Sequence, residues 1–154
     1  ENGKQMPWTI VLLALFFNFF NGFFNGYWFG TLSPAYLVSW FWSWQFILGI
    51  ILFSIGMYIN ISSDQALLNL RKGGKKGYYI PRGRLFDKIS SPNLLGEIIE
   101  WSGWALMSWC LPAFSFALWT AANLIPRALD HQRWYHRYFP DYPKERQALF
   151  PKIL

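Results

Sequence analysis

The chain has 154 residues, of which 53% are hydrophobic, 21% are aromatic and only 14% are charged, with a net charge of +6. Soluble domains typically carry about 25% charged residues, so this composition favours a single membrane domain over residues 1–154. The lone Cys110 excludes an internal disulfide, and because no cysteine spacing typical of zinc or iron–sulfur sites occurs, we expect no metal.

Four apolar stretches are predicted to form membrane helices. Residues 7–29 and 36–60 contain no charged residue, and roughly 20 such residues cross a bilayer as a helix. The last long apolar stretch contains Pro112, which cannot donate a helix hydrogen bond, so we predict two helices there, at 93–111 and 113–129. The predicted fold is all-α, a multi-pass transmembrane helical bundle with about four spans.

The basic residues indicate the orientation of these spans. They fall near the N-terminus, between the second and third spans, and from Arg127 onwards. Four crossings place all three groups on one side, which the positive-inside rule makes cytoplasmic. We therefore expect a cytoplasmic loop at 61–92 and a cytoplasmic tail at 130–154, in a bacterial inner membrane or endoplasmic reticulum. Basic loops beside apolar spans are the usual membrane pattern, so nucleic acid is not expected as a partner, and no obligate protein partner is evident.

Polar stripes occur at the predicted cytoplasmic ends of three helices. A carboxylate inside a membrane is costly and usually faces a cavity or a partner. The stripes, each on one helical face, are Asn60, Asp64 and Arg71, then Asn93, Glu97 and Glu100, then Arg127, His131 and Tyr135. Their common level predicts a shared pocket, although the glutamates could instead sit shallowly and reach water or lipid headgroups. No cofactor role is predicted for Glu100, which most simply pairs with a neighbouring helix or with the nearby arginine and histidine side chains.

The first span carries asparagines and glycines on one face. Asn18, Asn21 and Asn25 lie beside Gly22 and Gly26, and such small and amide residues commonly hold membrane helices together. Close packing is the favoured interpretation, while Asn21 and Asn25 remain candidates to line a cavity.

The loop RKGGKKGYYIPRGRLFDKISSPN lacks both the GxGxxG fingerprint and the P-loop. Its flexible glycines, its guanidinium groups and the aromatic pair Tyr78 and Tyr79 favour an anionic cofactor site. A solvated basic loop that touches anionic lipid explains the same features equally well.

From about Gly56 to the C-terminus the chain resembles steroid 5-alpha-reductases, through the motifs N-x3-D-x6-R, G-Y-x-I-P, N-x2-G-E-x2-E-W and D-Y-P-x2-R. The resemblance implies a seven-helix membrane enzyme that uses NADPH to reduce the C4–C5 double bond of 3-oxo-Δ4 steroids. It also implies that the N-terminal helices, with a Glu and a Tyr that polarise the substrate carbonyl, lie outside this chain. The sequence departs from the family at Asp130, where a His is usual, and at Arg84, where a Gly is common.

The resemblance further implies a set of site residues. The positions expected around NADPH are Asn60, Asp64, Arg71, Tyr78, Asn93, Glu97, Arg127, His131, Tyr135 and Arg146. The candidates for the substrate pocket are Asn21, Asn25, Phe114, Phe116 and Trp119.

The favoured reaction is hydride transfer to the β-carbon of a steroid or similar lipid enone, with protonation of the α-carbon. One alternative is a membrane methyltransferase of the isoprenylcysteine type, although the R-H-P-x-Y motif expected for it is absent from the sequence. Another is a non-catalytic sterol-binding membrane protein.

Overall fold

The computed structural model describes residues 7–71 and 77–150 and, for Arg71, the backbone alone. Four α-helices account for most of this part of the chain: α1 (Trp8–Tyr27), α2 (Trp44–Arg71), α3 (Pro92–Ser108) and α4 (Leu111–Tyr138). A π-helical turn follows α1, and the described residues contain one isolated β-bridge, between Ile89 and Gln147, but no strand. The all-α prediction is confirmed for this part of the chain.

Within residues 7–71 and 77–150, two segments are long and apolar enough to cross a membrane, Trp8–Leu32 and Trp44–Leu70. They correspond to the first two predicted spans. Helix α3 has 17 residues, which is the lower end of the range that spans a bilayer. The third and fourth crossings therefore stay a prediction.

The second helix begins at Trp44 instead of residue 36. The residues before Trp44 form a short 3₁₀ helix, Val38–Trp42, instead of the first turns of α2. They do so because two aromatic side chains of this segment form hydrogen bonds with α3. The Tyr36 hydroxyl donates to the carbonyl of Ser108 at 2.7 Å, and Trp40 Nε1 donates to the carbonyl of Met107 at 3.1 Å. These two bonds satisfy carbonyls that the end of α3 leaves without helical partners.

Two helices form in the last apolar stretch as predicted, but they separate at Trp109 and Cys110 instead of at Pro112, and both have other bounds than predicted. Helix α3 ends at Ser108, where Trp109 takes the left-handed conformation with φ 47°, and Pro112 lies in the first turn of α4. A proline is tolerated there because the first turn leaves its N–H groups unbonded. Helix α4 then continues to Tyr138, nine residues beyond the predicted end, so much of the predicted tail is helix.

Helices α2 and α3 pack in unusually close contact through four glycines. A Cβ built on Gly96 would lie 2.5 Å from the backbone nitrogen of Asn60 and 2.7 Å from the carbonyl oxygen of Gly56. Gly49 and Gly103 form an equivalent crossing two turns away. Backbones approach this closely only where side chains are absent, which is a common way for membrane helices to associate.

The glycines of α1 do not serve this purpose in the described chain. A Cβ on Gly22 or Gly26 would meet nothing within 4 Å. The asparagine amides beside them bond within their own helix, as when Asn25 donates to the Asn21 carbonyl at 2.9 Å. The prediction that these residues hold α1 closely against another helix is therefore not met within the part of the chain that the structure describes.

The buried core lies at the polar ends of α3 and α4. It contains Ile89, Leu94, Leu95, Leu124, Ala128, Ala148 and Leu149. The segment that follows α4 thus folds back against the start of α3 and the second half of α4. This arrangement holds the polar ends of the helices in fixed relative positions.

Candidate functional site

The polar stripes of α2 and α3 face each other across the glycine contact. Asn93 Nδ2 donates to Asp64 Oδ1 at 3.1 Å. One turn deeper, the Asn60 side chain lies within hydrogen-bonding reach of Glu100. Glu100, for which the sequence predicts pairing with a neighbouring helix and no cofactor role, thus lies beside a polar side chain of α2.

Glu97 joins this pair of helices to α4. It is half-buried and lies within electrostatic range of Arg127 on α4 and Asp64 on α2. Two carboxylates and one guanidinium are thus grouped where three helices meet. The group offers acceptors for hydroxyl or amide hydrogens beside a fork of donors suited to phosphate.

His131 lies one turn beyond Arg127 on α4. Its Nδ1 atom is 3.4 Å from the hydroxyl oxygen of Ser91, the buried residue that precedes α3. Burial lowers the pKa of His131 from its ordinary value, the Arg127 cation lowers it further, and Asp130 offsets part of this shift. The net shift favours the neutral imidazole.

The segment that follows α4 holds Ser90 and Ser91 in place through hydrogen bonds. The backbone N–H groups of Ser90 and Ser91 donate to the carbonyls of Gln147 and Ala148, at 2.7 and 3.1 Å. Tyr142 donates its hydroxyl hydrogen to Ser90 Oγ at 2.8 Å. These bonds fix Ser91, and through it the position of His131.

Arg146 lies between the last segment and the loop before α3. It is 3% exposed, donates from Nη1 to the carbonyl of Pro81 at 3.0 Å, and its guanidinium carbon lies 4.9 Å from the centre of the Tyr142 ring. Its Nε atom is buried and has no hydrogen-bond partner among the described residues. Arg146 therefore connects the last segment to the loop before α3, and its contacts in the structure are structural.

We expect replacement of Arg146 by Ala to act on stability first. The change removes a hydrogen bond from a charged group and the packing of a buried side chain, which together cost roughly 2 kcal/mol or more. The check is the unfolding temperature of the full-length protein in detergent without nucleotide. As a matched control, Arg137→Ala at an exposed position of α4 should leave that temperature unchanged. An unchanged temperature with Arg146→Ala would contradict the structural role.

Tyr78 and Tyr135 pack among aromatic rings near the end of α4. Tyr78 is 59% exposed and contacts Trp134 with ring centres 4.9 Å apart. Tyr135 stacks on Tyr142 at 5.0 Å. The side chain of Arg71 lies outside the described residues, so its predicted place in the cluster stays a prediction.

The candidates for the substrate pocket divide between two cavities. Asn21, Phe116 and Trp119 line a cavity of about 560 Å³ between α1 and α4, whereas Phe114 lines an apolar cavity of about 730 Å³ between α3 and α4. Asn25 lines neither of them, but its Oδ1 atom is buried and has no partner among the described residues. The first cavity is the better candidate because it combines aromatic rings with an amide.

Asn123, which lies between the aromatic cavity and the polar cluster, was not predicted as a site residue from the sequence. Phe116, Trp119, Asn123 and Arg127 share one face of α4 by the 3.6-residue period. Asn123 donates to the carbonyl of Trp119 at 2.8 Å and lies between the aromatic residues and the guanidinium. The signal was available, because Asn123 is an amide residue in a mainly apolar run, one turn from Arg127.

The fold and site define a class of protein: an all-helical protein with membrane-length helices, a polar cluster where three helices meet, and an apolar cavity on the same helical face. The sequence profile of the 3-oxo-5-alpha-steroid 4-dehydrogenase family matches residues 4–154. The chain belongs to this family.

Similar curated proteins come from plants and animals. The chain is 45% identical over 155 residues to the steroid 5-alpha-reductase DET2 of Arabidopsis thaliana, covering 99% of this chain and 58% of that protein. It is 44% identical over 154 residues to 3-oxo-5-alpha-steroid 4-dehydrogenase 1 of Bos taurus, covering 100% of this chain and 60% of that protein. The chain thus spans about three fifths of the length of these relatives.

Proposed function

We propose that this chain forms the cofactor-binding part of a membrane-embedded, NADPH-dependent reductase of the C4–C5 double bond of 3-oxo-Δ4 steroids or a similar lipid enone. The observation that carries the proposal is the arrangement along α4. One helical face leads from an aromatic cavity, through Asn123, to the cluster of Arg127, Glu97 and Asp64. An apolar ligand and a polar, charged one could therefore meet end to end.

The residues of the cluster suit a nicotinamide dinucleotide chemically. Arg127, together with Arg71, would bind phosphate oxygens, since guanidinium groups match their geometry. The oxygens of Glu97 and the amide of Asn93 would serve the amide and hydroxyl groups of the nicotinamide half, and Asn60, Asp64 and Tyr78 would complete the wall of the site. The structure gives Asn93 a preset orientation through its bond to Asp64.

When bound, NADPH supplies the hydride for the reduction. The part of this chain in the reaction is to hold and orient both ligands and to exclude water, for which the aromatic lining of the cavity is suited. Phe17 on α1 stacks with both Phe116 and Trp119 of α4, with ring centres 5.7 Å apart in each pair. The groups that polarise the substrate carbonyl are expected on helices N-terminal to this chain.

The membrane arrangement belongs to the same proposal. Helices α1 to α4 would each cross the bilayer, within a seven-helix protein, and the polar ends of α2, α3 and α4 would face the cytoplasm. The basic residues of the loop and tail support this orientation, because positively charged segments are retained on the cytoplasmic side.

The direct test uses the purified full-length protein in detergent or nanodiscs. We expect loss of nicotinamide absorbance when NADPH and testosterone or progesterone are present together, with one reduced steroid formed per NADPH oxidised. The corresponding steroid that lacks the C4–C5 double bond is the matched control and should cause no oxidation. Binding of S-adenosylmethionine with no NADPH binding would favour the methyltransferase alternative. Tight sterol binding without any nicotinamide oxidation would favour a sterol-binding protein.

The pKa of His131 leads to a prediction on pH. An anion bound beside Arg127 raises the lowered pKa of His131, so binding of NADP⁺ is accompanied by proton uptake. We therefore expect the affinity for NADP⁺ to rise as the pH falls from 8 towards 6, by roughly threefold to tenfold. His131→Gln, which keeps hydrogen-bonding capacity but not the titration, should lose this part of the slope. Titration of the nucleotide phosphate is common to both proteins and cancels in the comparison.

Without nucleotide, the stability of the folded protein should fall as the pH falls, whereas the affinity for NADP⁺ rises. As the pH falls through the ordinary value of 6.5, the unfolded chain takes up a proton that the folded protein resists. Unfolding is therefore favoured at low pH in the absence of NADP⁺. Identical pH slopes for the wild-type protein and His131→Gln in both measurements would contradict the assignment of His131.

A further inference from the structure

A large groove lies on α2, on the face turned away from the cluster. It has a volume of about 1090 Å³ and runs between α2, from Ser54 to Asn69, and the loop 82–88. Ser62, Gln65 and Asn69 lie about half a turn around the helix from Asn60 and Asp64, so the groove does not belong to the proposed cofactor site.

The groove changes in character along its length. Its inner part is lined by Met57, Tyr58 and Ile61 on the apolar part of α2, which are 40%, 65% and 63% exposed. Its outer part is lined by the amides of Gln65 and Asn69 on α2. Such a gradient matches an amphiphile whose chain lies along the hydrocarbon and whose headgroup reaches the interface.

Three cations surround the outer part: Arg82, Arg84 and Lys88 all line the groove and are all exposed. In the part of the chain that the structure describes, no carboxylate lies within ion-pair distance of any of them. The loop contains one acid, Asp87, and its Oδ1 atom accepts a hydrogen bond from the Gly83 backbone at 2.8 Å. Three cations and one carboxylate leave this loop with a net positive charge.

The loop holds these cations in a defined conformation. Gly83 and Arg84 both have positive φ, 90° and 53°, and a left-handed arginine is uncommon because its Cβ crowds the backbone. The buried Phe86, 3% exposed, anchors the loop in the protein. Strain of this kind persists only where the surrounding structure enforces it, and it is concentrated at binding sites.

We propose that this groove binds one phospholipid with an anionic headgroup, the phosphate beside Arg82, Arg84 and Lys88 and an acyl chain along Met57, Tyr58 and Ile61. The charge of the outer part selects the headgroup, and the apolar inner part selects a lipid over a free phosphate. The proposal does not depend on the identity of the cofactor.

The test is native mass spectrometry of the full-length protein in detergent with equal amounts of phosphatidylglycerol and phosphatidylcholine of the same acyl chains. We expect one phosphatidylglycerol to bind preferentially. Each cation near an anionic lipid contributes about fivefold in affinity, so Arg82→Gln, Arg84→Gln and Lys88→Gln together should weaken binding by more than about tenfold. Inorganic phosphate added in excess should not compete.

The matched control removes the same charge elsewhere. Arg133→Gln, Arg137→Gln and Lys144→Gln together change three exposed cations outside the groove and should retain the bound lipid. Ala66→Trp, which fills the groove without changing the charge, should weaken lipid binding. Equal loss in the two triple variants would show non-specific attraction, and no preference for phosphatidylglycerol in the wild-type protein would show that something else covers the groove. Competition by inorganic phosphate would show an anion site instead. Any of these three results would overturn the proposal.

Discussion

Replacing Arg127 by Met is expected to weaken NADPH binding by the full-length protein by about tenfold or more. A hydrogen bond between ionised groups contributes roughly 1.5–3 kcal/mol, and the change also removes a cation that acts electrostatically on Glu97. Methionine keeps much of the length of the side chain, so packing along α4 should survive. The measurement is the dissociation constant for NADPH from quenching of tryptophan fluorescence.

Arg133→Met is the matched control for Arg127→Met, because Arg133 lies on the same helix and pairs with Asp130 at an exposed position, with N and O 3.2 Å apart. It should leave the dissociation constant unchanged. Adding Glu97→Gln to Arg127→Met should weaken binding by less than the product of the two single effects, since partners in one cluster are not additive. Equal affinities for wild-type and Arg127→Met proteins would exclude Arg127 from the site.

The second large effect is expected from a single methyl group at the contact between α2 and α3. In Gly56→Ala the new Cβ would lie 2.6 Å from the carbonyl oxygen of Gly96 and would also meet the backbone nitrogen of Glu100. Backbone atoms cannot rotate away as side chains do, so the helices must separate. Overpacking typically costs about 1–3 kcal/mol, and we expect the upper end of this range or more. The measurement is thermal unfolding in detergent.

Gly22→Ala is the matched control for Gly56→Ala, since it makes the same chemical change on a helix where a Cβ meets nothing within 4 Å. Alanine is favoured over glycine in a helix by about 1 kcal/mol, so this variant should be unchanged or slightly more stable. Separation of α2 from α3 should also weaken NADPH binding, because Asp64 and Asn93 are bonded across the contact. Equal unfolding temperatures for Gly56→Ala and the wild type would contradict the close packing.

The sequence predicted the polar stripes well because helical periodicity determines which residues share a face. Asp64 with Asn93, and Glu97 with Arg127, come together across three helices as the stripes suggest. Helix α2 continues through DQALLNLR to Arg71, so the first part of the predicted loop 61–92 is helix, and the stripe of Asn60, Asp64 and Arg71 lies on one continuous helix.

Sequence reasoning failed where long-range contacts decide the outcome. The start of α2 depends on Tyr36 and Trp40, which bond to carbonyls more than sixty residues away. The contact between α2 and α3 depends on Gly49, Gly56 and the glycines that face them on α3. The glycines of α1, for which close packing was predicted, have open space beside them. Periodicity within one helix does not reveal which neighbour a face will meet.

Arg146 shows a related limit of reasoning from resemblance. The resemblance placed Arg146 among the residues expected around NADPH. It does not say whether Arg146 contacts the cofactor or stabilises the fold. The structure places its guanidinium against the carbonyl of Pro81 and the ring of Tyr142. We therefore propose that Arg146 affects NADPH binding through the fold of the last segment.

The central claim is that a nicotinamide dinucleotide binds where α2, α3 and α4 meet. The most direct measurement is a structure of the full-length protein with bound NADP⁺. We predict that the dinucleotide contacts Asn93, Glu97 and Arg127, with its nicotinamide end towards the cavity that Phe116 and Trp119 line. Nucleotide bound elsewhere, for example at the cationic groove on the opposite face of α2, would contradict the claim.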